Sequence, residues 1–157
     1  MQVEPYEPGP AGPHLAASAI ASAGPDDVMV MANSARTDVS CWGGLLSLGA
    51  QLRGVRAAVV DGACRDVTEA QELAFPIYAR ASVPATARGR LRQGSTSEPV
   101  VIAGVTVEQG DVVVADATGV AFVPRARAAE VLCTAGPCGR GPRRGRRGTR
   151  TRARYRR

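Results

Sequence analysis

The stretch that decides the fold is Gly43–Glu69, GGLLSLGAQLRGVRAAVVDGACRDVTE. Two glycines open a segment whose leucines, Leu45, Leu46, Leu48 and Leu52, recur near the 3.6-residue period of a helix, and Gly54 closes it. Ala57–Val60, AAVV, follows as a short continuous apolar run, the pattern of a strand buried on both faces. It runs out through Asp61-Gly62 to Arg65-Asp66, with Glu69 three residues beyond the aspartate. Helix, strand, turn and helix start is the grammar of a parallel βαβ unit.

Working outward, the same grammar continues on both sides. Towards the N-terminus, the sequence predicts a strand over 1–6, a Pro/Gly loop over 7–13, and a helix over His14–Ala23. A second apolar strand follows at Asp27–Ala32, then a polar loop over Ser34–Trp42. Beyond the central stretch, Val67–Ala74 reads as a short helix and Pro76–Ala81 as a strand. Pro84–Glu98 reads as a polar loop. The style then changes. Pro99–Ile102, Val105–Val107, Val112–Ala115 and Val120–Val123 are short, rich in valine, and separated by turn residues, which is antiparallel hairpin grammar. Pro124–Cys133 reads as a closing helix with Ala128, Val131 and Leu132 facing inward. The expected class is α/β, with a mainly parallel first half and hairpins in the second.

The formal charge of +6 over 157 residues hides an asymmetry. Residues 136–157 hold ten arginines and no acid, leaving 10 basic against 14 acidic residues in 1–135. The body is a mildly acidic domain, and 136–157 has the composition of a disordered Arg-rich tail. Such a tail can bind phosphates without specificity. The abrupt change of composition after Leu132 instead favours an incidental extension, with nucleic acid not expected as a partner. The chain contains no lysine. Its four cysteines, Cys41, Cys64, Cys133 and Cys138, form no CxxC pair and have no nearby histidine, so they read as buried free thiols of a reducing compartment. There is no signal-peptide pattern and no apolar run near 18 residues, so a soluble, cytoplasmic protein without membrane contact is expected.

The chemistry lies at the two ends of the central stretch. A helix start presents free N–H groups and the positive end of the dipole, and Gly43 and Gly44 let an anion approach the backbone closely. The amides of Gly44 to Leu46 suit a small carboxylate, although glycines at helix starts are common and on sequence alone simple capping accounts for them better. At the other end, Arg65 and Asp66 follow a buried strand, where ligands of open α/β sheets gather. Asp66 and Glu69 share one face of a helix start and suit a hard divalent cation through oxygen ligands. They also match a capping box, with Asp66 as N-cap and Glu69 as the third residue. Spacing alone does not separate the two readings. His14 reads as a core or surface residue, Trp42 as a packing residue, with walling a pocket at the glycines as the alternative, and Asp61 and Asp116 as turn residues.

The arrangement Gly44, twenty residues, Arg65-Asp66, two residues, Glu69 resembles a known family. So do the segments TDVSCWGGLLSLGA, VVDGACRD, FPIYAR and IAGVTVEQGDVVVADATGVAFVP. The family is that of the class II 4-hydroxy-4-methyl-2-oxoglutarate aldolases and the regulators of ribonuclease E activity A, and the match covers Val3 to Leu132. The resemblance implies a swivelling β/β/α domain over 1–135, shortened at its N-terminus relative to family members. It also implies assembly as a homotrimer or hexamer, with the active site at the subunit boundary. Gly43, Gly44, Leu45 and Leu46 would bind the substrate carboxylate and Arg65 the keto or enolate oxygen. Asp66 and Glu69 would hold a divalent metal, Mg²⁺ or Mn²⁺, making Arg65 and Asp66 the catalytic pair. The implied reaction is retro-aldol cleavage of a 4-hydroxy-2-oxo acid to pyruvate, with oxaloacetate decarboxylation through the same pyruvate enolate. The alternative within the same family is a non-catalytic regulator that binds a ribonuclease E-type partner.

Overall fold

The computed structural model describes residues 1–8 and 14–138. In chain order the elements are β1 (Val3–Pro5), α1 (Ala17–Ser22), β2 (Val28–Trp42), α2 (Gly44–Leu52), β3 (Ala57–Cys64), α3 (Val67–Glu72), β4 (Ile77–Ser82) and β5 (Leu91–Gln93). Then come β6 (Val100–Ile102), β7 (Val105–Val107), β8 (Val112–Asp116), β9 (Gly119–Val123), a 3-10 turn at Arg125–Arg127, and α4 (Ala128–Cys138).

β2, β3 and β4 lie side by side and parallel, with β3 in the middle. Parallel neighbours need a crossover, and α2 and α3 supply the two crossovers. β3 is buried at every residue, as its unbroken apolar run requires. β1 pairs antiparallel with β5, and the residues before it lie along β2, with Gln2 bridging Ala32 in parallel and Met1 bonded to Val30 and Ala32. β6–β7 and β8–β9 are the expected antiparallel hairpins. The main core gathers Met31, Cys41, Trp42, Ala58, Val60 and Phe75 with the helices. A smaller cluster of Ala32, Val100, Ile102 and Val107 seats the β6–β7 hairpin, with Val30 and Phe122 packed against it.

Several expectations are corrected. Ser34–Trp42 is not a loop: β2 runs through it, with three register shifts against β3 and left-handed backbone at Ser34 (φ 50°) and Ala35 (φ 57°). Its polar residues ride on bulges facing water, while Val39, Ser40, Cys41 and Trp42 turn inward. The Pro84–Glu98 segment contains β5, which β1 recruits as its antiparallel partner. Asp61 is not a turn residue. It lies buried inside β3, its charge answered by Arg80 of β4. Asp116 does shape a turn, accepting the Thr118 amide at 2.8 Å.

Most leucines of α2 do not face the core. Leu45 and Leu52 are 72% and 79% exposed, and Leu48 is also exposed. The buried face is instead Gly44, Ser47 and Ala50. Small residues let the helix axis approach the sheet, and the leucine stripe is turned outward. On α4, Leu132 is exposed rather than inward. That helix extends to Cys138, three residues past the expected boundary of the body. The rest of the Arg-rich segment, 139–157, lies outside the described residues, as does most of the 7–13 loop.

Of the cysteines, Cys41 and Cys64 are buried, whereas Cys133 is exposed, against expectation. Burial pushes the Cys41 thiol up to about 12 and raises that of Cys64. Both stay protonated at neutral pH and behave as core residues. No helix among the described residues is long and apolar enough to cross a membrane.

Met31 is fully buried beneath the helices, whereas Leu52 stands in solvent. Met31→Ala is expected to cost about 2–5 kcal/mol in urea unfolding through the cavity it leaves, and Leu52→Ala to stay within about 0.5 kcal/mol.

Candidate functional site

The two ends of the central stretch meet. β3 delivers Arg65 and Asp66 to the carboxyl edge of the sheet, and the backbone N–H of Arg65 donates to the Trp42 carbonyl at 2.9 Å. That bond brings the end of β3 beside the start of α2. The backbone N–H of Gly44 then donates to Asp66 Oδ2 at 3.0 Å. Arg65 Nε lies 3.3 Å from the same oxygen, with each side chain about a third exposed.

Asp66 does not cap its own helix in the expected way. It sits in the left-handed region (φ 55°, ψ 40°) before α3, and its side chain makes no cap hydrogen bond there. Aspartate tolerates this region better than most residues, yet the conformation is uncommon. The carboxylate reaches across to α2 instead of back to α3. The capping-box reading is therefore replaced by a cross-element contact.

Glu69, in the first turn of α3, leans the same way. A Cβ built on Gly44 would land on its carboxylate. A Cβ on Gly43 would come within 2.9 Å of Arg65 Cγ and Asp66 Oδ2. Neither glycine is needed for a positive φ, since Gly43 is extended (φ −162°) and Gly44 is helical. A side chain at either position would have to displace the acidic and arginine side chains that rest there. Gly43, Gly44, Arg65, Asp66 and Glu69 thus form one constellation, and Leu45 and Leu46 continue the first turn of α2. Leu45 sends its side chain to solvent and Leu46 packs partly against the core. What either offers the site is its amide.

The donor chemistry suits a hard cation. Two carboxylates converge on Gly44, and small divalent ions commonly take one or two carboxylates and keep much of their water. Among the described residues, no group of three or more His, Cys, Asp or Glu side chains gathers to form a closed cage. The site is an open shelf. A cleft of about 320 Å³ bordered by Val67, Ala70, Phe75 and Tyr78 lies next to α3, and a second of about 430 Å³ is lined by Glu108, Asp111 and Arg125. Neither includes the residues of the shelf.

Trp42 and Ser47 were not legible as parts of this arrangement. Trp42 is buried, stacks on Phe75 (centroids 6.1 Å, 11°), and donates from Nε1 to Ser47 Oγ at 2.9 Å. It is packed in the core and does not wall the shelf. The signal for Ser47 is a lone serine among the leucines of α2, placed on the buried face by helical spacing from Gly44.

The close approach of Glu69 to Gly44 has a measurable consequence. A double-mutant cycle of Gly44→Ala and Glu69→Ala in urea unfolding is expected to give a coupling of about 0.5–3 kcal/mol, because the second change removes the group the first collides with. Strict additivity would show that the carboxylate does not rest on Gly44.

The RraA-like family model, Aldolase/RraA, matches residues 7–122. An uncharacterized protein of Methanocaldococcus jannaschii, MJ0644, is 38% identical over 95 residues, 60% of this chain and 45% of its own. A protein of Halalkalibacterium halodurans named "Putative 4-hydroxy-4-methyl-2-oxoglutarate aldolase" is 32% identical over 114 residues, 73% of this chain and 54% of its own. The chain spans about half the length of these two curated relatives. Among solved structures, Streptomyces coelicolor RraAS2, described as an unusual member of the RNase ES inhibitor RraA family, superposes with a TM-score of 0.78. It is 28% identical, over 87% of this chain and 68% of that one. The RNA-processing inhibitor RraA from Thermus thermophilis gives 0.63 at 26% identity, over 71% and 67%. The ordered motifs, the parallel sheet with its hairpins and these matches agree: the chain belongs to the RraA-like family.

Proposed function

We propose that the protein is a carbon–carbon lyase of pyruvate-forming oxo acids. Its reaction would be retro-aldol cleavage of a 4-hydroxy-4-methyl-2-oxoglutarate-type substrate, with oxaloacetate decarboxylation as the companion activity. The observation that carries this reading is the shared contact at Asp66 Oδ2, where the Gly44 amide (3.0 Å) and the Arg65 guanidinium (3.3 Å) converge beside Glu69. An anion-binding helix start and a charged acid–arginine pair lie within reach of one small molecule. The aldolase name borne by the relative from H. halodurans supports the same class.

In this mechanism the first-turn amides of α2 hold the substrate carboxylate, favoured by the positive end of the helix dipole. The C3–C4 bond breaks, its electron pair passes to C3, and the 4-hydroxyl loses its proton as C4 becomes a carbonyl. The other product is the enolate of pyruvate, later protonated at C3. In oxaloacetate the bond to the departing carboxylate breaks instead, CO₂ leaves, and the same enolate remains. Arg65 places a fixed positive charge where the keto oxygen becomes negative. Asp66 and Glu69 are the residues that would hold a divalent cation, Mg²⁺ or Mn²⁺, whose Lewis acidity would add to that stabilisation when bound. With no lysine in the chain, a Schiff base on one of its own lysines is excluded.

Two measurements test this. Wild type is expected to decarboxylate oxaloacetate with Mg²⁺ or Mn²⁺ and to stop in EDTA. Asp66→Ala is expected to abolish turnover, and Arg65→Ala to lower kcat by about 10²–10³-fold. Activity that survives both EDTA and Asp66→Ala sinks the proposed site. Wild type that is folded but inert with metal moves the reading to a protein-binding regulator, in line with two structural neighbours described as an RNase ES inhibitor family member and an RNA-processing inhibitor.

We also propose self-association as a homotrimer or hexamer, supported by the outward leucine stripe Leu45, Leu48 and Leu52 beside the shelf. Native mass measurement is expected to give a multiple of three chains, and Leu48→Glu with Leu52→Glu to shift it towards monomer. A wild type that remains monomeric at micromolar concentration refutes the assembly.

A further inference from the structure

The carbonyl of Gly43 and the N–H of Gly44 belong to one peptide unit. That unit is planar and trans, so the two groups point in opposite directions. Whatever holds the carbonyl therefore aims the amide. The Gly43 carbonyl accepts two hydrogen bonds from one residue: Ser47 N at 3.0 Å and Ser47 Oγ at 3.1 Å. The Ser47 hydroxyl in turn accepts the indole N–H of Trp42 at 2.9 Å. Trp42, Gly43 and Ser47 are all buried, so water does not compete for these groups. On the far side of the same peptide, the Gly44 N–H meets Asp66 Oδ2 at 3.0 Å.

A Gly-Gly peptide is the one most free to rotate, since neither residue has a Cβ to resist it. Its rotation here would turn a carbonyl oxygen towards Asp66 and Glu69 and replace attraction with repulsion. The helix supplies one restraint, the Ser47 N–H. The Ser47 hydroxyl adds a second, and the Trp42 indole fixes the hydroxyl's own direction. Trp42 is itself clamped on Phe75, which follows α3, the helix whose start carries Asp66. Both sides of the contact are thereby referred to one aromatic pair.

We infer that Ser47 is a positioning residue of the shelf, locking the Gly43–Gly44 peptide so that its amide holds Asp66 beside the first turn of α2 that receives the incoming carboxylate, with Trp42 fixing the hydroxyl. Its catalytic consequence rests on the lyase reading given above, while the orientation itself is readable without turnover.

The test uses Ser47→Ala, Trp42→Phe, which keeps an aromatic ring on Phe75 but removes the N–H, and the double variant, each checked for folding by its melting transition. In ¹H–¹⁵N spectra of the full chain, Ser47→Ala is expected to move the Gly44 amide resonance in the direction that Asp66→Asn moves it. Its hydrogen exchange should also speed up by about tenfold, the worth of one hydrogen bond. In oxaloacetate decarboxylation with Mn²⁺, KM is expected to rise about tenfold with kcat little changed, the pattern of lost carboxylate binding. Trp42→Phe should do the same more weakly, and the double variant should be no worse than Ser47→Ala. A Gly44 resonance and exchange rate unmoved in folded Ser47→Ala overturns the inference. So does a fall in kcat at constant KM, or full additivity of the two changes. If wild type has no lyase activity, the spectra still decide the lock, and only the functional reading fails.

Discussion

The bond from the Gly44 amide to the Asp66 carboxylate joins two segments 22 residues apart, and much of the molecule serves to keep it at 3.0 Å. β3 is buried along its whole length and so cannot slide without exposing apolar surface on both faces. Its end is tied to the start of α2 by the Arg65 amide and the Trp42 carbonyl. α2 can lie close to the sheet because its inner face is Gly44, Ser47 and Ala50. A helix with leucines on that face would stand further out, and the amide would not reach the carboxylate.

That choice has a second effect. With small residues inside, Leu45, Leu48 and Leu52 are displaced to the outside of the same helix. An apolar stripe on a soluble surface is unfavourable unless something covers it. The stripe begins one residue after the shelf, so whatever covers it also borders the site. The demand for close backbone approach and the demand for a cover are two sides of one helix, and they link the proposed chemistry to the proposed assembly.

The parallel unit was legible because AAVV and DVMVMA are unbroken apolar runs, and the hairpins because turn residues punctuate short valine-rich segments. Three things were not. β2 continues past Asn33 because its polar residues occupy outward bulges, and a period-2 reading has no means of placing bulges. β5 exists only because β1 offers an unpaired edge some ninety residues away. The facing of α2 was not legible either, because leucines at helical spacing mark an apolar face without saying what covers it, and the tightest packing there belongs to glycine, serine and alanine. At the site, the participants could be named from sequence, but not the partner each would take.

Asp66 shows why the partner mattered. Asp-x-x-Glu before a helix has two outcomes: the aspartate turns back to its own helix as a cap, or it turns away. In the first case φ is negative and the side chain accepts a local amide. Here φ is +55° and the local cap bond is not made. A residue held in a sparsely populated backbone region needs its surroundings to hold it there. The amide of Gly44 and the guanidinium of Arg65 do so, both attracting the carboxylate away from α3. α3 thus forgoes a cap that its sequence was able to supply, and the acid so released stands at the start of another helix. In its new place the acid satisfies the first amide of α2 and pairs with Arg65, which is the position the proposed ligand role also requires.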